Sequence, residues 1–191
     1  AIVGEDFNQQ EKLGPFVDAI EGGWYHQLVD AVKTSNLDWL RQSLDSDYFR
    51  DTLRTGNHDE RRVENDFGGY IMATTRMICL LNLMGGWTTT LFGDEYSEGK
   101  KFEFKRAGAV PMTLLQARRF QLAPANIDMA AWIARSAKVK LEDPALRTAR
   151  RAWLPPAAPE GSILAMARHA DEGTHTVLVF ANLHNREDRT N

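Results

Sequence analysis

Apolar residues along the chain fall into short runs that alternate with helically spaced stripes. The first run, "AIVGEDF", ends in Gly4, Glu5 and Asp6, the pattern of a buried parallel strand that delivers carboxylates at its C-terminal end. "GPFVDAIEG", residues 14–22, predicts a second short strand. From Trp24 to Leu44 the residues Leu28, Val29, Val32, Leu40 and Leu44 recur at helical spacing, and Ser35 with Asn36 divides this segment in two. "YFRDTLRT", residues 48–55, reads as a strand, and the stretch from Gly69 to Met84 as a helix apolar on most faces and therefore buried. After Gly85 and Gly86, the β-branched "WTTTLF" predicts another strand, which ends in Gly93, Asp94 and Glu95. From Asn126 to Leu141 the stripe Ile127, Ala130, Ala131, Ala134, Ala137 and Leu141 predicts a helix stopped by Pro144.

The pattern then changes. "LPPAAPEG", residues 154–161, resists both helix and sheet, and beyond it "SILAMARH" and "HTVLVFANLH" flank the turn "ADEGT" as an antiparallel hairpin. The order implies an α/β unit over residues 1–153, with a parallel sheet or barrel, and a small β segment over 154–191. In parallel architectures functional groups gather at the carboxyl ends of strands. Three strand ends here carry acids: Glu5, Asp59, and the pair Asp94 and Glu95.

Composition narrows the choices. A chain of 191 residues can bury a core without staples. Its formal net charge of -3, with basic residues scattered, offers no positive stripe for phosphates, which argues against nucleic acid as a partner. The single cysteine, Cys79, rules out a disulfide within the chain and lies in the apolar run "YIMATTRMICLLNLM", which is too short and interrupted to span a bilayer. The start has no signal-peptide pattern, which favours a cytoplasmic location, although so abrupt an opening suggests a piece of something longer. His26, His58, His169, His175 and His184 show no paired ligand spacing, so neither a metal nor a cofactor is expected.

The densest chemistry lies in "RTGNHDERRVEND", residues 54–66, directly after a strand. A surface turn could use Asn57 and Asp59, but it needs neither His58 nor two arginines. Carboxylates from several strand ends around one pocket suit glycosidic cleavage, in which a carboxylic acid protonates the leaving oxygen and a carboxylate stabilises a cationic transition state. They also suit helix capping or metal binding.

"TGNHDERRV" resembles the seventh-strand motif of glycoside hydrolase family 13, the α-amylase superfamily, where Asn-His-Asp is commonly followed by an Arg. "IVGEDF" is similar to the fifth-strand motif that carries the general acid/base, and "TTTLFGDEYSEG" to the eighth-strand motif. The resemblance covers most of the chain. It implies that Glu5 and Asp59 are catalytic, with Glu5 the acid/base and Asp59 holding sugar hydroxyls and favouring the distorted transition state. It further implies that Asn57, His58 and Arg62 bind the substrate, an α-glucan or maltooligosaccharide. Arg61 stands where a Pro is frequent in the family and reads better as part of a solvated cluster with Glu60 and Glu64; Asp94 and Glu95 read as framework or outer-pocket residues.

The family's nucleophilic Asp comes from the fourth strand, and no residue here matches it. The expectation is therefore the last four β/α units of a (β/α)8 barrel, a fold of about 250 residues when whole, followed by the start of a C-terminal β domain. The exposed sheet edges of a half barrel predict self-association or pairing with the missing half. Three alternatives stay open. "SEGKK" resembles the eighth-strand region of α-glucan maltosyltransferases, which would make the reaction a transfer rather than a hydrolysis. The absent nucleophile also fits a non-catalytic carbohydrate-binding or assembly domain. A self-contained hydrolase with His58 as base is disfavoured by the lack of a Gly-x-Ser-x-Gly elbow. Of the five tryptophans, most are expected in the core rather than on sugar rings.

Overall fold

The computed structural model describes residues 3–4, 19–21, 25–34, 36–44, 51–55, 62–69, 71–84, 87–90, 93–97, 124–148, 150–155, 163–171 and 173–183. Four short strands, β1 (Val3–Gly4), β2 (Ala19–Glu21), β3 (Asp51–Arg54) and β4 (Trp87–Thr89), pair in chain order, and every pairing is parallel. Successive parallel neighbours need crossovers. Those before β3 and β4 contain α1 (Tyr25–Thr34) with α2 (Asp38–Leu44), and α3 (Val63–Asp66) with α4 (Ile71–Met84). All strands pointing the same way puts their C-terminal ends on one edge of the sheet.

Local chemistry sets the breaks. Between α1 and α2 the Thr34 hydroxyl donates to the Asp30 carbonyl, the Asn36 N–H donates to that hydroxyl, and the Asn36 side-chain oxygen accepts from the Asp38 N–H. These side-chain bonds replace helix bonds and start α2 afresh. α1 buries Leu28, Val29, Ala31 and Val32, and α4 buries residues around most of its circumference, from Ala73 to Met84.

Downstream lie α5 (Pro124–Glu142) and α6 (Pro144–Arg147), the second with Pro at its start and the Asp143 carboxylate accepting from the Ala145 N–H. An antiparallel sheet follows, β5 (Arg151–Trp153), β6 (Ile163–His169) and β7 (Thr176–Asn182), in that order. Leu164, Met166, Val179 and Leu183 join the helices in one continuous core. On the sheet's other face Ala165 and Ala167 stand beside Phe180 and Leu178, both exposed.

Three sequence expectations change. The antiparallel sheet takes in Arg151–Trp153 as a strand, where the sequence placed only the hairpin beyond the Pro-rich stretch. α5 exists as expected but turns a different face inward: Met129, Ile133 and Lys140 are buried, whereas Ala131, Ala134 and Leu141 face out. Alanine contributes too little apolar area to set a helix's orientation, and the inward face holds the polar Ser136 and Lys140, which break the stripe. Trp39, Trp87 and Trp132 are exposed rather than in the core; Arg135 covers the Trp132 ring at 5.0 Å. Among the described residues no helix is long and apolar enough to cross a membrane.

Candidate functional site

At the C-terminal edge of the parallel sheet, three buried polar residues converge. Thr55 directly follows β3, Arg62 directly precedes α3, and Asp94 sits in the 3-10 turn Asp94–Tyr96 beyond β4. The Thr55 hydroxyl donates to Asp94 Oδ2 at 2.5 Å, and Arg62 Nη1 lies 3.2 Å from Asp94 Oδ1. Thr55 and Asp94 are 0% exposed and Arg62 1%, so this ion pair is fully removed from water. A buried charge is tolerable only when paired and hydrogen-bonded.

The backbone holds each member. The Thr55 N–H donates to the Thr89 carbonyl at 3.1 Å, carrying the β3–β4 ladder one residue further, and the Arg62 carbonyl accepts from the Asn65 N–H at 2.9 Å in the first turn of α3. Gly93 takes a φ of 97°, a left-handed conformation that suits glycine, and its N–H donates to the Glu95 carboxylate at 2.8 Å. Glu95 thus fastens its own turn while Asp94 points into the protein, which agrees with reading both as framework.

Of the five residues singled out for chemistry, Glu5, Asn57, His58 and Asp59 lie outside the described residues. Arg62 is described, and its guanidinium is sequestered against Asp94. Thr55 escaped the sequence reading, because a threonine at the end of a strand has no signal to separate it from a strand former. Among the described residues no group of three or more His, Cys, Asp or Glu could hold a metal.

A second polar cluster lies away from this edge, between α4, β4 and α5. Asn82 donates to the Ser136 hydroxyl, Thr88 donates to the Asn82 carbonyl oxygen, and Lys140 Nζ donates to the Thr88 hydroxyl at 3.2 Å. Burial, reinforced by the Arg168 charge, lowers the Lys140 ammonium to about 8. Cys79, half-buried in the same seam, has its thiol raised by burial, opposed in part by a hydrogen bond with Ser136. These groups knit helices together and present no converging acids.

No protein-family model matches the sequence, and no curated protein does. Solved structures do. The α-amylase from H. orenii superposes with a TM-score of 0.69 at 13% identity, over 96% of this chain and 43% of that one. The fold is that of part of an α-amylase. A cyclic α-maltosyl-(1→6)-maltose hydrolase from Arthrobacter globiformis matches with a TM-score of 0.69 at 18% identity, over 94% of this chain and 41% of its own. The type III pullulan hydrolase from Thermococcus kodakarensis gives 0.69 at 20% identity, over 95% and 33%. The chain spans less than half the length of each of these α-amylase-type barrel enzymes, and the likeness is one of fold.

Proposed function

We propose that the chain is the carbohydrate-gripping and acid/base portion of an α-retaining glycoside hydrolase that acts on α-glucosidic bonds of α-glucans or maltooligosaccharides. The observation that carries this reading is the coincidence of motif order and strand order. Glu5 directly follows β1, Asn57, His58 and Asp59 follow β3, and Asp94 follows β4, along one parallel sheet whose fold is shared with α-amylase-type enzymes. Carboxylates at that edge are what glycosidic cleavage needs. One neighbour was determined in complex with maltose, which supports a maltose-type ligand.

In this reading β1 to β4 are the last four strands of an eight-stranded barrel, and the sheet from β5 onward begins a C-terminal β domain. Glu5 protonates the glycosidic oxygen and then activates the incoming acceptor; Asp59 and His58 hold hydroxyls of the sugar being cleaved, and Asn57 shapes their approach. Arg62, paired with Asp94, completes the set of residues assigned to the sugar. The nucleophilic Asp belongs to the part of the enzyme that this chain does not span. Among the described residues β1 and β4 form the edges of the parallel sheet, and such edges favour association with that part or with a second copy.

The test is release of reducing sugar from maltoheptaose, together with calorimetric binding, using Asp59→Asn and Glu5→Gln as controls. The expected result is no turnover, with weak binding that disappears in Asp59→Asn. Turnover abolished in both variants would overturn the division of labour, since the nucleophile would have to lie within these 191 residues. Absence of binding in the unaltered chain would overturn the carbohydrate reading.

A further inference from the structure

Lys140 is buried between α4, β4 and α5 with little to receive its protons. An ammonium carries three N–H donors, yet among the described residues Lys140 Nζ makes one hydrogen bond, to the Thr88 hydroxyl at 3.2 Å, and no ion pair. That acceptor is itself committed: the Thr88 hydroxyl donates to Asn82 Oδ1, Asn82 Nδ2 donates to Ser136 Oγ, and Ser136 donates to the Ile133 carbonyl. The relay runs one way and asks Lys140 for a single N–H. The charge that acts on the ammonium is a like one, Arg168 on β6, on which Arg151 of β5 acts in turn. Arg168 Nε is buried and has no hydrogen-bond partner. Other polar groups around Lys140 are engaged elsewhere: Lys138 with Glu142, Asp143 with His175, Asp94 with Thr55 and Arg62, Glu95 with the Gly93 N–H, and the Cys79 thiol with Ser136. A buried ammonium beside a second cation is in its unfavourable protonation state. Burial first, and Arg168 second, accordingly bring it down to about 8.

A neutral lysine amine is a nucleophile, and whatever meets it in this seam must be small and uncharged. Carbon dioxide is both, and is electrophilic at carbon. The nitrogen lone pair forms a C–N bond, one C=O π pair moves onto oxygen, and the nitrogen gives a proton to solvent, leaving a carbamate, –NH–COO⁻. Neither an oxidant nor a second substrate is consumed. The product suits its surroundings better than the ammonium does. It keeps one N–H for Thr88 and sets a carboxylate, in place of a cation, against Arg168.

We propose that Lys140 Nζ is a modification site for carbon dioxide: it forms a carbamate that retains the hydrogen bond to Thr88 and turns the repulsion with Arg168 into an ion pair, fastening α5 to β4 and β6. The site is independent of the carbohydrate reading.

The experiment equilibrates the 191-residue chain with carbon-13-labelled bicarbonate, traps carbamates as ethyl esters with triethyloxonium, and maps them by peptide mass. Thr88→Val, which keeps the shape and loses the acceptor, and Lys140→Met are run beside it. At about pH 8 the trapped label at Lys140 is expected to exceed that at the exposed Lys33 and Lys138 at least about tenfold, because far less of an ordinary lysine is neutral there. It should fall at least about tenfold by about pH 6 at fixed dissolved carbon dioxide, and several-fold in Thr88→Val. The melting temperature should rise with bicarbonate, against chloride at equal ionic strength, in the unaltered chain and not in Lys140→Met. Label confined to the terminal amine, or spread equally over Lys33, Lys138 and Lys140, overturns the proposal. So does label at Lys140 that is indifferent to Thr88→Val, or a melting temperature that bicarbonate leaves unchanged.

Discussion

Arg168 Nη1, carried on β6, donates to the Leu83 carbonyl in the last turn of α4 at 2.9 Å, across 85 residues of chain. The same guanidinium donates to the carbonyls of Met84 and Thr148. The last carbonyls of a helix have no partner within it and carry the negative end of its dipole, so a buried cation there satisfies both needs. Burial, with Arg151 opposite on β5, lowers the guanidinium to about 10. One side chain thus joins the antiparallel sheet to the helix packed against the parallel one.

Replacing Arg168 should expose that dependence. Arg168→Met leaves three carbonyls without this donor and is expected to cost about 3 kcal/mol of unfolding free energy in urea. Arg168→Lys should recover only part, because a single ammonium lacks the planar fork that reaches carbonyls on both sides. A loss below about 1 kcal/mol in Arg168→Met would show that water replaces the guanidinium at the helix end.

Lys140 gives a pH signature on the alkaline side. Its folded value of about 8 lies below the ordinary 10.5, so between those pH values the unfolded chain binds more protons and stability rises with pH. Lys140→Met is expected to stabilise the protein at pH 7 by roughly 1–3 kcal/mol. That advantage should shrink as pH climbs from about 8 to 10.5, read from urea unfolding at each pH. An advantage independent of pH would mean that the ammonium carries no burial penalty.

Asp143 has two jobs that substitution can separate. Its carboxylate lies 2.9 Å from His175 Nε2 and accepts from the Ala145 N–H at 2.8 Å, and the His175 bond leads in holding it below the ordinary 3.8. With a depressed folded value, its contribution is present above pH 3.8 and is lost as pH falls through the folded value. Asp143→Ala should cost about 1 kcal/mol at pH 7 through the lost helix cap. Asp143→Asn keeps the cap and should cost only a few tenths, since the pair is largely solvated. The difference in melting temperature between Asp143→Asn and the unaltered chain should be present at pH 7 and close as pH falls below 3.8 through the folded value.

The sequence made strands and helices legible where one residue type dominated a face. The mostly apolar run from Ile71 to Met84 reads as a buried helix, and the break between α1 and α2 follows from side chains that compete for backbone bonds. α5 was legible as a helix and misleading as a surface, because its inward face trades apolar area for the Ser136 and Lys140 hydrogen bonds, whose partners sit over 50 residues away. Asp94 was legible as a carboxylate at a strand end. Its partnership with Thr55 was not, since that contact spans 39 residues and depends on the β3–β4 register. Likewise, a strand of three residues before a proline-rich stretch looks like the end of a helical unit until its partner strand is known.

Cys79, the chain's sole thiol, sits half-covered in the seam where α4 meets α5. Because only the thiolate reacts and burial disfavours it, modification must wait for that seam to part. The rate at which a thiol reagent consumes the protein is therefore a clock on the breathing of these two helices, built into the molecule and requiring no introduced label.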